Sequence, residues 1–69
     1  MKYAELRGKI VERFGSLGNF AKAVGITRAM LSLKLNGHSQ FTQQQIGDWS
    51  KLLEIPVKDI GRFFFTTKL

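Results

Sequence analysis

The chain has 69 residues, room for one domain over 1–69, and its 43% apolar composition, with six Phe and one Trp, supplies the large side chains that a small core needs. Eleven Lys and Arg against five Asp and Glu give a formal charge of +6 and a pI near 10.2, which points to an acidic partner, with nucleic acid the commonest. The absence of Cys rules out a disulfide framework and a thiolate metal site; with one His, no carboxylate cluster and no phosphate loop, neither an enzyme nor a cofactor or metal requirement is expected.

A first helix is predicted over 2–14, where Tyr3, Leu6, Ile10 and Phe14 recur at helical spacing and Gly15 stands ready to end it. Gly8 weakens it locally, and Glu5 and Lys9, one turn apart, form an ordinary helix ion pair. Ser16 caps a second short helix with Leu17, Phe20, Ala21 and Val24 inward, and Gly25 supplies the left-handed residue that stops it. Thr27 caps a third helix that runs to about Leu35, and Asn36-Gly37 is a stop and turn signal.

The fourth helix opens with Thr42 and Gln45 as a capping box and with Phe41 and Ile46 at the two positions of a hydrophobic staple. Its inward face is Ile46, Trp49, Leu52 and Leu53. Pro56 resets the chain into a fifth helix over 56–61, anchored by Val57 and Ile60. In the tail, 62–69, three consecutive Phe do not share one helix face and Thr66-Thr67 favours extended structure, so a short extended segment is expected. The fold class is all-α, five helices with that tail. No apolar run has the length of a membrane span or a signal peptide, so a soluble protein without membrane contact is expected.

The stretch 16–37 carries the functional signal. Two helices joined by a tight turn with Gly at its first position make the helix-turn-helix pattern. Ala21 permits close approach of the two helices, while Val24, Ile26 and Leu31 fill the wedge between them. The third helix, 27–35, is then held outward, where it can enter a DNA major groove. Charge agrees with this reading, because Arg13, Lys22, Arg28 and Lys34 lie in a stretch from 13 to 47 that contains no acid.

Arg28 is the first candidate for a base contact, by bidentate bonding to guanine, with a phosphate contact or a solvated charge as the alternative. Ala29 and Leu33 can press on a thymine methyl and Ser32 can reach a base or a phosphate; for Leu33, partial core packing stands as an equal alternative. Met30 lies on the same side. Phosphate candidates are Lys22, Thr27, Lys34, Asn36, Gly37, His38 and Gln40, with amides of the Asn36-Gly37 turn as donors. Gln43 and Gln44 are further candidates for the DNA backbone. Trp49 is expected in the core.

On Phe20-Ala21, Gly25-Ile26-Thr27-Arg28, Leu31-Ser32 and Asn36-Gly37, followed by Phe41-Thr42-Gln43 and a terminal Phe-Phe-Thr, the chain resembles the lambda-repressor-like, or Xre-type, helix-turn-helix family, and within it small phage and prophage repressors. The resemblance implies a compact helical fold and cytoplasmic control of transcription by a homodimer on operator double-stranded DNA, often in a phage lysis-lysogeny switch. Dimerisation is assigned to Phe63, Phe64 and Phe65 of the tail with the fifth helix. Leu17 stands where family members often have a phosphate-binding Gln. The alternatives are a protein-interaction module, an antirepressor or adaptor on the same fold, which an apolar third-helix face would indicate, and an architectural or excision factor.

Overall fold

The computed structural model describes residues 3–65, which form α1 (Ala4–Phe14), α2 (Leu17–Val24), α3 (Arg28–Leu35), α4 (Gln43–Leu53) and α5 (Ile60–Phe64), with a single 3-10 turn, Val57–Asp59, leading into α5. The expected all-helical class is what the molecule adopts, with no strand among the described residues. The helix starts are chemical. Ser16 accepts from the Asn19 amide (3.1 Å) at α2, and Thr27 from the Met30 amide (3.0 Å) at α3. At α4, Thr42 and Gln45 exchange both bonds of the capping box, each at 3.0 Å. Each such cap satisfies amides that have no partner within the helix.

Three helix ends share one device. At α2, α3 and α4 a residue with φ between 56° and 84°, namely Gly25, Gly37 or Glu54, turns the chain in the left-handed region. The following amide reaches back five residues: Ile26 to the Ala21 carbonyl, His38 to Leu33 and Ile55 to Ser50, at 3.0, 2.9 and 2.8 Å. This is the Schellman arrangement. Glu54 holds the position without being Gly, and its carboxylate meets Arg13 of α1.

The core gathers Leu6 and Ile10 of α1, Leu17, Phe20 and Ala21 of α2, Leu31 and Leu35 of α3, Trp49 and Leu53 of α4, then Ile55, Phe63 and Phe64. Rings meet edge to face through it: Phe14 on Phe20, Phe20 on Trp49, Trp49 on Phe41, and Phe41 on both Tyr3 and Phe64, with centroids 5.0–5.3 Å apart. That geometry sets the positive edge of one ring against the negative face of the next.

The C-terminal region differs from the extended tail expected at 62–69. Helix continues to Phe64, and Phe63 and Phe64 are both buried. Adjacent helical positions can both be covered because α5 packs against two neighbours, α1 and α4. Phe64 meets Phe41, Phe63 lies beside α1, and only Phe65 points outward, 62% exposed. Phe63 and Phe64 are therefore core residues rather than dimer contacts; the remainder of the expected tail, 66–69, lies outside the described residues.

Three smaller expectations are also corrected. Val57 does not anchor the fifth helix: it sits on the 3-10 turn and is 84% exposed. Leu52 is 42% exposed, and Ser50 takes a buried place on α4 instead, because α4 turns the Trp49–Ser50–Leu53 side to the core. Glu5 pairs with Arg62 (3.3 Å) and Lys9 with Glu12 (3.9 Å), so the Glu5–Lys9 pair gives way to one that links α1 to α5.

The Ser50 hydroxyl is buried with no hydrogen-bond partner among the described residues. Ser50→Ala should therefore raise stability, by about 1 kcal/mol, since it removes an unsatisfied polar group at almost constant volume. Urea unfolding of the two proteins checks this; a lower midpoint for the variant would mean that the hydroxyl is satisfied in solution.

Candidate functional site

Two helices and a three-residue turn, Gly25-Ile26-Thr27, form the unit on which the sequence signal falls. It is anchored upstream by Asn19, whose side-chain amide donates to the Phe14 carbonyl (2.8 Å) at the end of α1. Ala21 is almost wholly buried, Val24 and Ile26 are half-buried, and Leu31 and Leu35 have no exposure at all. The amide of Tyr3 donates to the Leu35 carbonyl (3.3 Å), so the C-terminal end of α3 is held to the body. With Leu31 and Leu35 inward, helical periodicity turns the opposite side of α3 to solvent.

On that side lie Arg28 and Ala29, both exposed, with Met30 at 47% and Leu33 at 50% exposure; Ser32 is half-buried at its edge. Leu33 is thus half-exposed on the outward side, not a core residue. A Cβ placed on Gly18 would lie 3.9 Å from Arg28 Cδ, so the Arg28 stem runs beside the first turn of α2. The Ser32 hydroxyl accepts from the Asn36 side-chain amide at 3.5 Å. Of the four base-reading candidates, Arg28, Ala29 and Leu33 share the open face, where Met30 joins them. The sequence signal for Met30 was its place between Ala29 and Leu33 opposite Leu31.

The phosphate candidates separate. Lys22, His38 and Gln40 are exposed. Thr27 is exposed too, but its hydroxyl is the α3 cap. Lys34 is not a surface cation: it is 6% exposed, its ammonium donates to the Gln40 carbonyl (2.9 Å) and to Ser39 Oγ (3.4 Å), and it lies 5.6 Å from the centre of the Phe41 ring. An ammonium with acceptors for two of its protons and an aromatic face nearby is at home in the interior.

The turn amides are likewise taken. Asn36, Gly37 and His38 donate to the carbonyls of Ser32, Lys34 and Leu33, at 3.0, 3.1 and 2.9 Å. The expected donation from the Asn36-Gly37 turn to phosphate is therefore replaced by helix capping. Since Arg13 meets Glu54 and Lys34 is buried, the acid-free stretch is left with two exposed cations without an acidic partner, Lys22 and Arg28. The basic field foreseen from the sequence is diluted once the chain is folded.

The chain is thus a small all-helical protein whose five-helix body presents a two-helix unit with a half-apolar outward helix. The profile described as "Protein of unknown function (DUF739)" matches residues 1–67, and the chain belongs to that family. The family shown is this one, and not the Xre-type family of the sequence resemblance. Among solved structures, the chain is similar to the solution structure of the modulator of repression (MOR) of the temperate bacteriophage TP901-1 from Lactococcus lactis, at 37% identity and a TM-score of 0.82, over 99% of this chain and 92% of that one. No curated protein sequence matches the chain.

Lys34 joins α3 to the following loop, so its removal should act on stability. Lys34→Ala is expected to cost about 2–3 kcal/mol, because the Gln40 carbonyl loses its partner and the stem loses its packing. Lys34→Met, which keeps the stem, should cost less. Thermal unfolding checks both; an unchanged midpoint for Lys34→Ala, with weakened DNA binding, would restore Lys34 to the phosphate set.

Proposed function

We propose that this protein is a phage-type regulator that modulates repression by docking on a protein of the repression machinery through the outward face of α3. The observation that carries this reading is the composition of that face: Met30 and Leu33 are about half exposed, flanked by Ala29 and by the single cation Arg28. Met and Arg beside an exposed Leu suit the centre of a protein interface, where apolar area is covered and one guanidinium sets the register. Met adapts its shape to a facing surface. A DNA reader, by contrast, draws most of its affinity from neutralised phosphates, and the withdrawal of Lys34 and Arg13 leaves few groups for that task. The similarity to a phage protein called a modulator of repression supports a role in the same kind of circuit. The role is one of binding, with no catalysis and no cofactor.

The second reading is the sequence-specific one: α3 enters the major groove of operator double-stranded DNA as part of a repressor or Cro-type homodimer. The arrangement of α2, a Gly-led turn and a Thr-capped α3 favours it, with Arg28 in the first turn and no acid in the first turn of either helix. In this reading Arg28, Ala29, Ser32 and Leu33 face bases while Lys22, His38 and Gln40 face phosphates. With Phe63 and Phe64 buried, a homodimer would have Phe65 alone of the three as an exposed contact.

The test is to titrate the purified chain into a preformed complex of a repressor from the same phage with its operator, following operator occupancy by fluorescence anisotropy. The chain should alter occupancy while retaining no operator by itself. Leu33→Asp should weaken the effect by about 2 kcal/mol, roughly thirtyfold, and Arg28→Ala by a similar amount. Lys22→Ala should change little. If the chain alone instead selects a two-fold symmetric motif from random duplexes, and Arg28→Ala abolishes that selection, the DNA reading replaces the protein-docking one.

A further inference from the structure

A second recess lies next to the turn that precedes α3. It is a cleft of about 570 Å³ between the end of α2 and one side of α4, lined by Val24, Ile26, Trp49 and Leu52 with Gln44 and Asp48 among them. Leu52 is 42% exposed although it stands on a helix whose next residue, Leu53, is fully buried. Val24 and Ile26 are only half covered by the core.

Charge adds a second feature to the apolar lining of this cleft. Glu5, Glu12 and Glu54 each meet a cation of this chain, at Arg62, Lys9 and Arg13. Asp48 and Asp59 are in no ion pair among the described residues, in a protein whose formal charge is +6, and of these two Asp48 lines the cleft while Asp59 sits on the 3-10 turn. An unneutralised carboxylate beside uncovered Leu and Ile is complementary to a cation carried next to an apolar group. It is repulsive to a phosphate backbone, so nucleic acid does not fit here. No group of three or more metal-ligating side chains is present among the described residues, which leaves Asp48 without the company a metal ion needs. A second copy would bring another +6 to the contact.

We propose that this cleft is a docking site for a segment of a partner protein that places an apolar side chain against Ile26 and Leu52 and a Lys or Arg against Asp48. The site goes beyond the α3 face and does not depend on it. Ile26 is separated from Arg28 only by the capping residue Thr27, so the two surfaces adjoin with opposite charge. Arg28 selects a carboxylate and Asp48 selects a cation. The two neighbouring surfaces therefore select segments of opposite polarity, each independently of the other.

The experiment is selection of displayed random linear peptides on the immobilised full chain, followed by anisotropy titrations with the selected peptides. The expected consensus has Lys or Arg beside a large apolar residue. Asp48→Lys should weaken those peptides by about tenfold, Asp48→Glu should retain them, and Leu52→Ala should also weaken them. Helical circular dichroism confirms that each variant is folded. Arg28→Ala and Leu33→Asp should leave these peptides bound, which separates this site from the α3 reading: loss with those two variants and not with Asp48→Lys overturns the cleft proposal while leaving the α3 face in place. Absence of any enriched sequence, an acidic consensus, or indifference to Asp48→Lys would also overturn it. Sedimentation showing self-association that Leu52→Ala abolishes would assign the cleft to a second copy instead.

Discussion

The rest of the structure depends on a run of edge-to-face aromatic contacts. Phe20 of α2 stands on Trp49 of α4, Trp49 on Phe41 of the intervening loop, and Phe41 on Phe64 of α5, while Phe14 and Tyr3 bring in the two ends of α1. A domain of 69 residues has too little interior to be stabilised by aliphatic burial in several separate clusters. One array that touches four of the five helices ties them into a single packing problem. The large rings cover much area with few torsions to immobilise, and their quadrupoles prefer the perpendicular arrangement seen here.

α3 alone contributes no ring to that array. It is held by Leu31 and Leu35 at zero exposure, by the Schellman turn at Gly37, and by the Lys34 side chain reaching the loop 36–42. This attachment uses one side of a helix of eight residues and leaves the other open. Rigidity and exposure therefore coincide. An outward surface on a capped helix whose C-terminal half is pinned has its geometry set in advance, which lowers the entropic cost of recognition.

Folding also redistributes charge in a way that shapes the choice of partner. A +6 chain suggests a broad positive field. Yet Arg13, Lys9 and Arg62 meet carboxylates, and Lys34 turns inward to neutral acceptors. Among the exposed groups that remain, Lys22 and Arg28 carry positive charge and Asp48, in the cleft beside the turn before α3, carries negative charge. This mixed polarity with uncovered Met and Leu is the ground on which the protein-docking proposal stands.

Local chemistry was legible in the sequence. Ser16, Thr27 and the Thr42–Gln45 box start their helices where expected, and Gly25 and Gly37 stop theirs, because caps and left-handed residues act over three to five positions and need no distant partner. The helical class and most of the core followed from 3.6-residue periodicity. The burial of Phe63 and Phe64 was not legible, since it requires α5 to lie between two helices that are distant in sequence. Nor was the fate of Lys34, whose charge reads as surface until Gln40 and Phe41 fold over it, or that of Arg13, whose partner Glu54 is remote along the chain. Sequence by itself determined the first four helices and their caps, while the fifth lies at Ile60–Phe64 rather than over the expected 56–61. Tertiary structure decided which cations reach solvent, which of the three Phe stay outside, and that Met30 and Leu33 are left open, because burial and ion pairing are properties of surfaces that only the packed chain brings together.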